Sequence, residues 1–237
     1  MVTGLIIAGG VGSRMGAGIP KQFMDAAGKP VIIYTLLAFE KNPNIDNVCV
    51  VCVKGWEDKL KVMIKEFSIT KVKWIVPGGN SSHGSIKNGV YFLNKQLKSG
   101  DIVIIHDAVR PIVPQIMLNE LIAETIKHKM VCTAIPCYET IIATEDGKCG
   151  NVQIDRSSIM RVQTPQAYNI ELLYSGYKKA EEQSKEKYIY TNTMLIDQGN
   201  TIYFSRGFVN NIKVTTPNDV PLLESLLEYD EKDLMRI

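Results

Sequence analysis

Short apolar runs rich in β-branched residues alternate along this chain with stretches whose apolar residues recur at helical spacing. Gly4–Ala8, Asn47–Val53, Lys71–Val76, Asp101–His106 and Val131–Pro136 are apolar at nearly consecutive positions. That is the pattern of strands covered on both faces. Between them, Val31–Glu40 aligns Ile32, Leu36 and Phe39 behind Pro30, whose fixed φ suits a first turn. Trp56–Phe67 gathers Leu60, Met63 and Ile64 on one side, and Ser85–Leu97 and Ile116–Lys127 read as further helices. Strand–helix–strand alternation of this kind predicts an α/β fold with a mostly parallel central sheet.

After Pro136 the pattern changes. Thr140–Thr144 and Asn151–Ile154 read as two strands around a Glu145-Asp146-Gly147 turn, a hairpin only weakly apolar and therefore expected to project as an arm. The chain then returns through Arg161–Tyr168. Helices follow near Leu172–Gln183 and near Asn192–Gln198, the second ended by Gly199. Strands are expected at Thr201–Ser205 and Ile212–Thr215, and a last helix from Pro217 carries Leu222, Leu223, Leu226 and Leu227. With no repeat or linker, 1–237 reads as one domain with an inserted arm.

Composition narrows the class. In 237 residues, 45% apolar content supports a sizeable core, and a formal charge of +2 is too small to suggest nucleic-acid binding. No apolar run is long enough for a membrane span, and the first ten residues read as a strand rather than a signal peptide, so a cytoplasmic location is expected. Five cysteines make an odd number, which argues against a disulfide framework. Cys49 and Cys52 form a C-x-x-C string, but on a strand residues three apart point to opposite faces, so core packing is the expectation. His83, His106 and His128 show no ligand spacing.

Chemistry first surfaces at the end of the first strand, in Leu5-Ile6-Ile7-Ala8-Gly9-Gly10-Val11-Gly12-Ser13-Arg14-Met15-Gly16. Glycines let a backbone approach phosphate and turn N–H groups towards it, and the carboxyl end of a strand is where open α/β sheets bind ligands. No Lys-Ser or Lys-Thr follows at P-loop spacing, and a dinucleotide fingerprint begun at Gly10 fails at Met15. Tight turns need glycine in any case, so the glycines alone leave function open. Arg14 and Lys21 follow closely; they are either two cations suited to a triphosphate or ordinary solvated residues.

Four motifs in order give the chain a resemblance: AGGVGSRMG…IPKQF…GKPVIIYTL, His106-Asp107-Ala108-Val109-Arg110-Pro111, Gln163-Thr164-Pro165-Gln166, and Asn211-Ile212-Lys213-Val214-Thr215-Thr216-Pro217. Together they resemble the cytidylyltransferases that act on methylerythritol phosphate and on ribitol phosphate. The resemblance implies a Rossmann-like three-layer sandwich with a β-arm, here about 137–158, crossing between subunits of a homodimer. It implies CTP and a small polyol phosphate as substrates and magnesium or another divalent cation as cofactor. Arg14, Lys21 and Lys213 then correspond to the catalytic cations. Ala8, Gly9, Gly10 and Gly12 correspond to the backbone cradle, and Gly79, Asn80 and Ser85 to the cytosine and ribose region. Asp107 and Ala108 lie beside the nucleotide, Asp107 also as metal ligand. Arg110, Thr140, Arg156 and Thr164 correspond to the acceptor site, with Thr140 and Arg156 reaching it from the neighbouring subunit. His106 reads as a structural strand-end histidine.

The implied chemistry is self-consistent. A phosphate monoester is near dianionic at neutral pH, its second pKa being about 6, and can attack the α-phosphorus without a general base. What it needs is positioning and cations. Several positions depart from the methylerythritol pattern: Asn210 where Asp is usual, Ser82 where Arg is common, Ala-Gly-Gly for Ala-Ala-Gly, and Thr191-Asn192-Thr193-Met194 for Thr-Asp-Glu-Ala. These favour D-ribitol 5-phosphate as acceptor, giving CDP-ribitol for teichoic acid or capsule synthesis. The alternatives are 2-C-methyl-D-erythritol 4-phosphate and a non-catalytic nucleotide-binding homologue; a nicotinamide-dependent oxidoreductase is disfavoured by the failed fingerprint.

Overall fold

The computed structural model describes residues 1–10, 19–183 and 188–234. In chain order the elements are β1 (Val2–Ala8), β2 (Asp25–Ala26), β3 (Lys29–Pro30), α1 (Val31–Lys41), β4 (Asn47–Cys52), α2 (Glu57–Glu66), β5 (Val72–Pro77) and α3 (Ser82–Leu93). There follow β6 (Ile102–Asp107), α4 (Gln115–His128), β7 (Met130–Pro136), β8 (Ile141–Ala143), β9 (Val152–Ile154) and β10 (Met160–Asn169). The chain continues with α5 (Ile170–Glu182), α6 (Thr191–Asp197), β11 (Tyr203–Arg206), α7 (Asp219–Leu227) and α8 (Glu231–Leu234).

Seven strands form one sheet in the order β11-β7-β10-β6-β1-β4-β5. All neighbours are parallel except β10, which runs antiparallel to both β6 and β7. The alternation of side chains along each strand divides the core in two. Ile6, Ala8, Val48, Val50 and Ile104 pack under α1, α2 and α4; Leu5, Cys49, Val51, Val103 and Ile105 pack under α3, α5 and α6. Both faces are therefore dry, which is why the strands read as unbroken apolar runs. Cys49 and Cys52 fall in different halves of the core, and burial pushes each thiol up to about 12. They are packing residues, as their spacing predicts.

The arm is the separate two-stranded sheet β8–β9, with Ile141 opposite Ile154 and Gly147 at φ 71° in its turn. One expected strand is absent. Ile212–Thr215 joins no sheet; it makes a single backbone bond to the loop after β6, from Val214 N–H to Val109 O. Val214 is buried with Val109, Ile112, Leu223 and Leu226 in a third cluster. The apolar alternation there marks packing against a loop and α7 rather than a sheet edge. The helix expected from Pro217 is α7 and starts later, at Asp219, whose carboxylate accepts from the N–H groups of Thr215 and Thr216 in the preceding turn; a further short helix, α8, follows it.

Candidate functional site

From β1 the chain order runs outward through β4 and β5 on one side, while β6 adjoins β1 on the other. The crevice between β1 and β6 is thus the topological switch point, where open α/β sheets bind ligands. Ile7 is in register with Asp107, so the glycine turn and the carboxylate leave neighbouring strands at the same end.

Close backbone packing shapes the β1 side. A Cβ on Gly9 would lie 2.6 Å from Ser85 Oγ, and one on Gly79 would lie 2.6 Å from the Gly84 carbonyl carbon. A Cβ on Gly78 would lie 3.1 Å from Gly9 Cα and 3.2 Å from the Cys52 carbonyl oxygen. The turn after β1 and the turn before α3 therefore touch backbone to backbone. Ser85 Oγ accepts from Gly79 N–H at 3.0 Å, and the Ser81 hydroxyl caps α3 by accepting from Gly84 N–H at 3.0 Å. The amino end of α3 faces this crevice, with the partial positive charge that favours an anion. Asn80 is exposed at the rim. Gly12 and Arg14 lie outside the described residues.

The β6 side is ionic. Asp107 Oδ2 accepts from Lys213 Nζ at 3.0 Å and Arg110 Nε at 3.2 Å. Burial alone would push this carboxyl up, but the two cations outweigh it and hold it below the usual carboxylate range. Arg110 also donates through Nη1 to the Asn211 carbonyl at 2.7 Å. Thr164 sits where β10 breaks register between Val162 and Gln166, and its hydroxyl accepts from Asp107 N–H at 3.1 Å. Motifs far apart in the chain thus converge on Asp107, the two cations on its carboxylate and Thr164 on its backbone N–H. Lys213 keeps 40% of its side chain exposed and so still faces solvent.

His106 is fully buried and donates from Nε2 to the Arg110 carbonyl at 3.0 Å, which fixes the neutral tautomer; burial lowers its pKa to about 4. It is structural, as expected. Ala108 is fully buried; its N–H goes to the Ile7 carbonyl and its own carbonyl accepts from the Thr35 hydroxyl, so its backbone groups are engaged by the fold beneath the crevice.

Thr140 and Arg156 lie together at the exposed base of the arm, where Arg156 Nη1 donates to the Tyr138 carbonyl at 2.6 Å. Among the described residues neither bonds to the Asp107 cluster. Beside the arm, a groove of about 470 Å³ is lined by Tyr138, Met160, Phe204, Arg206 and Val209. Asn210, the departure from the methylerythritol pattern, donates from Nδ2 to the Leu234 carbonyl at 3.0 Å and so ties the Lys213 segment to α8. The Thr191–Met194 departure lies on α6, where the Thr191 hydroxyl meets Tyr177 OH at 2.8 Å against α5.

Sequence reasoning passed over three residues. Gln163 clasps Phe208, donating to its carbonyl at 2.8 Å and accepting its N–H at 3.1 Å, and Asn211 Nδ2 donates to the Thr164 carbonyl at 2.8 Å. Both belong to the motifs quoted above, which was the available signal. The third, Gln22, sits inside the IPKQF run and is buried against the glycine turn, where its amide donates to the Ala8 carbonyl.

A single carboxylate at this crevice fits a magnesium ion carried mainly by substrate phosphates, the usual way that ion is held. Both cations engage Oδ2, so Oδ1 takes part in neither contact. Among the described residues no group of three or more His, Cys, Asp or Glu is placed to hold a metal by itself.

Glycine turns, a helix amino end and a cation-bound carboxylate at the switch point of an open sheet are the layout of a nucleotide-binding α/β protein. A family model described as "IspD: 2-C-methyl-D-erythritol 4-phosphate cytidylyltransferase" matches residues 2–229, and the chain belongs to that family. Among curated relatives, a ribitol-5-phosphate cytidylyltransferase of Lacticaseibacillus paracasei is 44% identical, covering 98% of this chain and 100% of the relative. A ribitol-5-phosphate cytidylyltransferase of Vibrio parahaemolyticus is 34% identical with 98% of each covered. A 2-C-methyl-D-erythritol 4-phosphate cytidylyltransferase of Clostridium botulinum is also 34% identical, covering 94% of this chain and 96% of the relative. A solved 4-diphosphocytidyl-2C-methyl-D-erythritol synthase from Anaerococcus prevotii superposes with a TM-score of 0.80 at 24% identity, covering 96% of this chain and 98% of that one. That likeness establishes the fold: α/β with a mostly parallel sheet.

Proposed function

We propose that this chain transfers the cytidylyl group of CTP to D-ribitol 5-phosphate, releasing pyrophosphate and forming CDP-ribitol. The observation that carries this reading is the end-to-end match to the Lacticaseibacillus ribitol-5-phosphate cytidylyltransferase, at higher identity than the methylerythritol relative reaches.

The site geometry is consistent with that chemistry. The turn at Ala8–Gly10 and the amino end of α3 offer N–H donors and a helix dipole to the triphosphate, and Lys21 and Arg14 supply charge to it. Asp107 holds Lys213 and Arg110 in place, so these cations are aimed before the acceptor phosphate arrives. Thr164 and Lys213 bind that phosphate and bring its oxygen towards the α-phosphorus. The attacking oxygen is already deprotonated and His106 stays neutral, so no side chain need remove a proton. A bound magnesium ion, on the phosphates and Asp107, would neutralise charge on the reacting groups. Thr140 and Arg156 complete the acceptor site from the arm of a second copy; the exposure of Ile142 and Val152 on the arm, 48% and 57%, supports such docking. The product would feed teichoic acid or capsule synthesis. No helix among the described residues is long and apolar enough to cross a membrane.

The test is pyrophosphate release from CTP with ribitol 5-phosphate and 2-C-methyl-D-erythritol 4-phosphate side by side. Turnover favouring ribitol 5-phosphate is expected. Preference for methylerythritol phosphate would replace the acceptor, and release with neither, despite CTP binding, would leave a non-catalytic homologue.

A further inference from the structure

Gln22 is buried, with 1% of its surface exposed, in the short 3-10 turn Lys21–Phe23. Its side-chain amide donates to the Ala8 carbonyl at 2.7 Å and to the Gly10 carbonyl at 3.0 Å. One nitrogen thus grips the chain on both sides of Gly9. Gly9 itself is packed against Ser85 and Gly78, with no room for a Cβ. Phe23, next in sequence, is stacked on Trp56 with ring centroids 4.6 Å apart, which fixes the 3-10 turn to the start of α2. We infer that Gln22 is a positioning residue that sets the glycine turn and Lys21 at a fixed separation, so that the backbone donors and the ammonium group meet one triphosphate in register.

Lys21 and Gln22 share a peptide bond, so whatever locates the Gln22 amide locates the root of Lys21. The two bonds consume carbonyls of the turn, not its N–H groups, and therefore set its direction without using the donors a phosphate needs. Donors and charge fixed beforehand cost no reorganisation when ligand arrives. The inference rests on the proposal that this crevice binds CTP.

Gln22→Met keeps the volume and removes both donors. Gln22→Glu sets a carboxylate against two carbonyls; burial raises the pKa of such a group, and its protonated form regains one donor. With misplacement of about 1 Å able to cost roughly 100-fold, both variants are expected to lower kcat/KM for CTP by about 10- to 100-fold at pH 8, with the KM for the acceptor unchanged. The ratio of Gln22→Glu to wild type should rise as pH falls to 6, while that of Gln22→Met stays flat. Values within twofold of wild type, equal losses for CTP and acceptor, or identical pH dependence of the two variants would overturn it. Should the variants not fold, side-chain amide exchange in the 15N-labelled wild type decides: protection of the Gln22 amide supports the clamp, and exchange as fast as that of exposed glutamines overturns it. Wild-type protein that fails to bind CTP would defeat the proposed function, and this inference with it; wild type that binds and variants that bind equally well would defeat the inference alone.

Discussion

At the scale of single residues the site depends on charge held in place. Asp107 gathers Lys213 and Arg110, and its own depressed pKa records how strongly they favour its ionised form. Lys213→Ala and Lys21→Ala should each lower turnover by about 10²–10³-fold, the usual loss for one preorganised donor; steady-state pyrophosphate release measures it, and near-normal rates would remove the assigned roles. The ion cluster should also be visible in stability. An unfolded-state Asp titrates near pH ~4, and the folded group titrates lower. The carboxylate therefore contributes stability in full above the unfolded value, and that contribution is lost as pH falls through the folded one. Asp107→Asn should lower Tm by a constant amount from pH 8 to about 5, with the gap from wild type closing on further acidification. A gap of the same size at pH 3 would contradict the cluster. His106 stands aside from this, since it stays neutral until about pH 4.

Among the elements, α3 and the arm do different work. The amino end of α3 reaches the crevice only because Gly9, Gly78 and Gly79 let two turns approach at backbone contact. At Gly79 the obstructing atoms belong to the Gly84–Ser85 backbone, which cannot rotate away as a side chain could. Gly79→Ala should displace the start of α3 and raise the KM for CTP at least about tenfold, in line with the sensitivity of such sites to small misplacement, while circular dichroism reports an intact fold. An unchanged KM would show that the close approach is packing without consequence for the nucleotide. The arm carries almost no core of its own. Its exposed Ile142 and Val152 suit contact with another surface better than solvent.

For the whole molecule, the proposed acceptor site draws on two chains: Lys213 and Thr164 from one body, Thr140 and Arg156 from the other copy's arm. Such a site can be complemented. Lys213→Ala damages the body and Arg156→Ala the arm, so each homodimer has only defective sites. A mixed dimer restores one site built from an intact body and an intact arm. Mixing the two variants after reversible dissociation should recover activity that neither shows alone. No recovery, with mixed dimers verified by mass, would place Arg156 in its own chain's site or in none.

The layered α/β scaffold was legible in the sequence because strands buried on both faces must be apolar at every position, and helices packed on them must repeat at helical spacing. The five expected early strands appear within a residue or two of their predicted bounds, and the opposite facing of Cys49 and Cys52 follows from the strand repeat. Motifs likewise named most of the crevice. What they could not convey is which groups are spent on the fold itself. Ala108 lies in the right motif but has both backbone groups engaged, while Gln22, equally close to hand, turns inward to bridge two carbonyls. Ile212–Thr215 has a strand's alternation yet pairs with no sheet, because its apolar residues answer to a loop and a helix. Local pattern reports whether a side chain is buried; only the path of the rest of the chain decides what it is buried against. The meeting of Arg110, Thr164 and Lys213 around Asp107 was therefore set by tertiary structure alone.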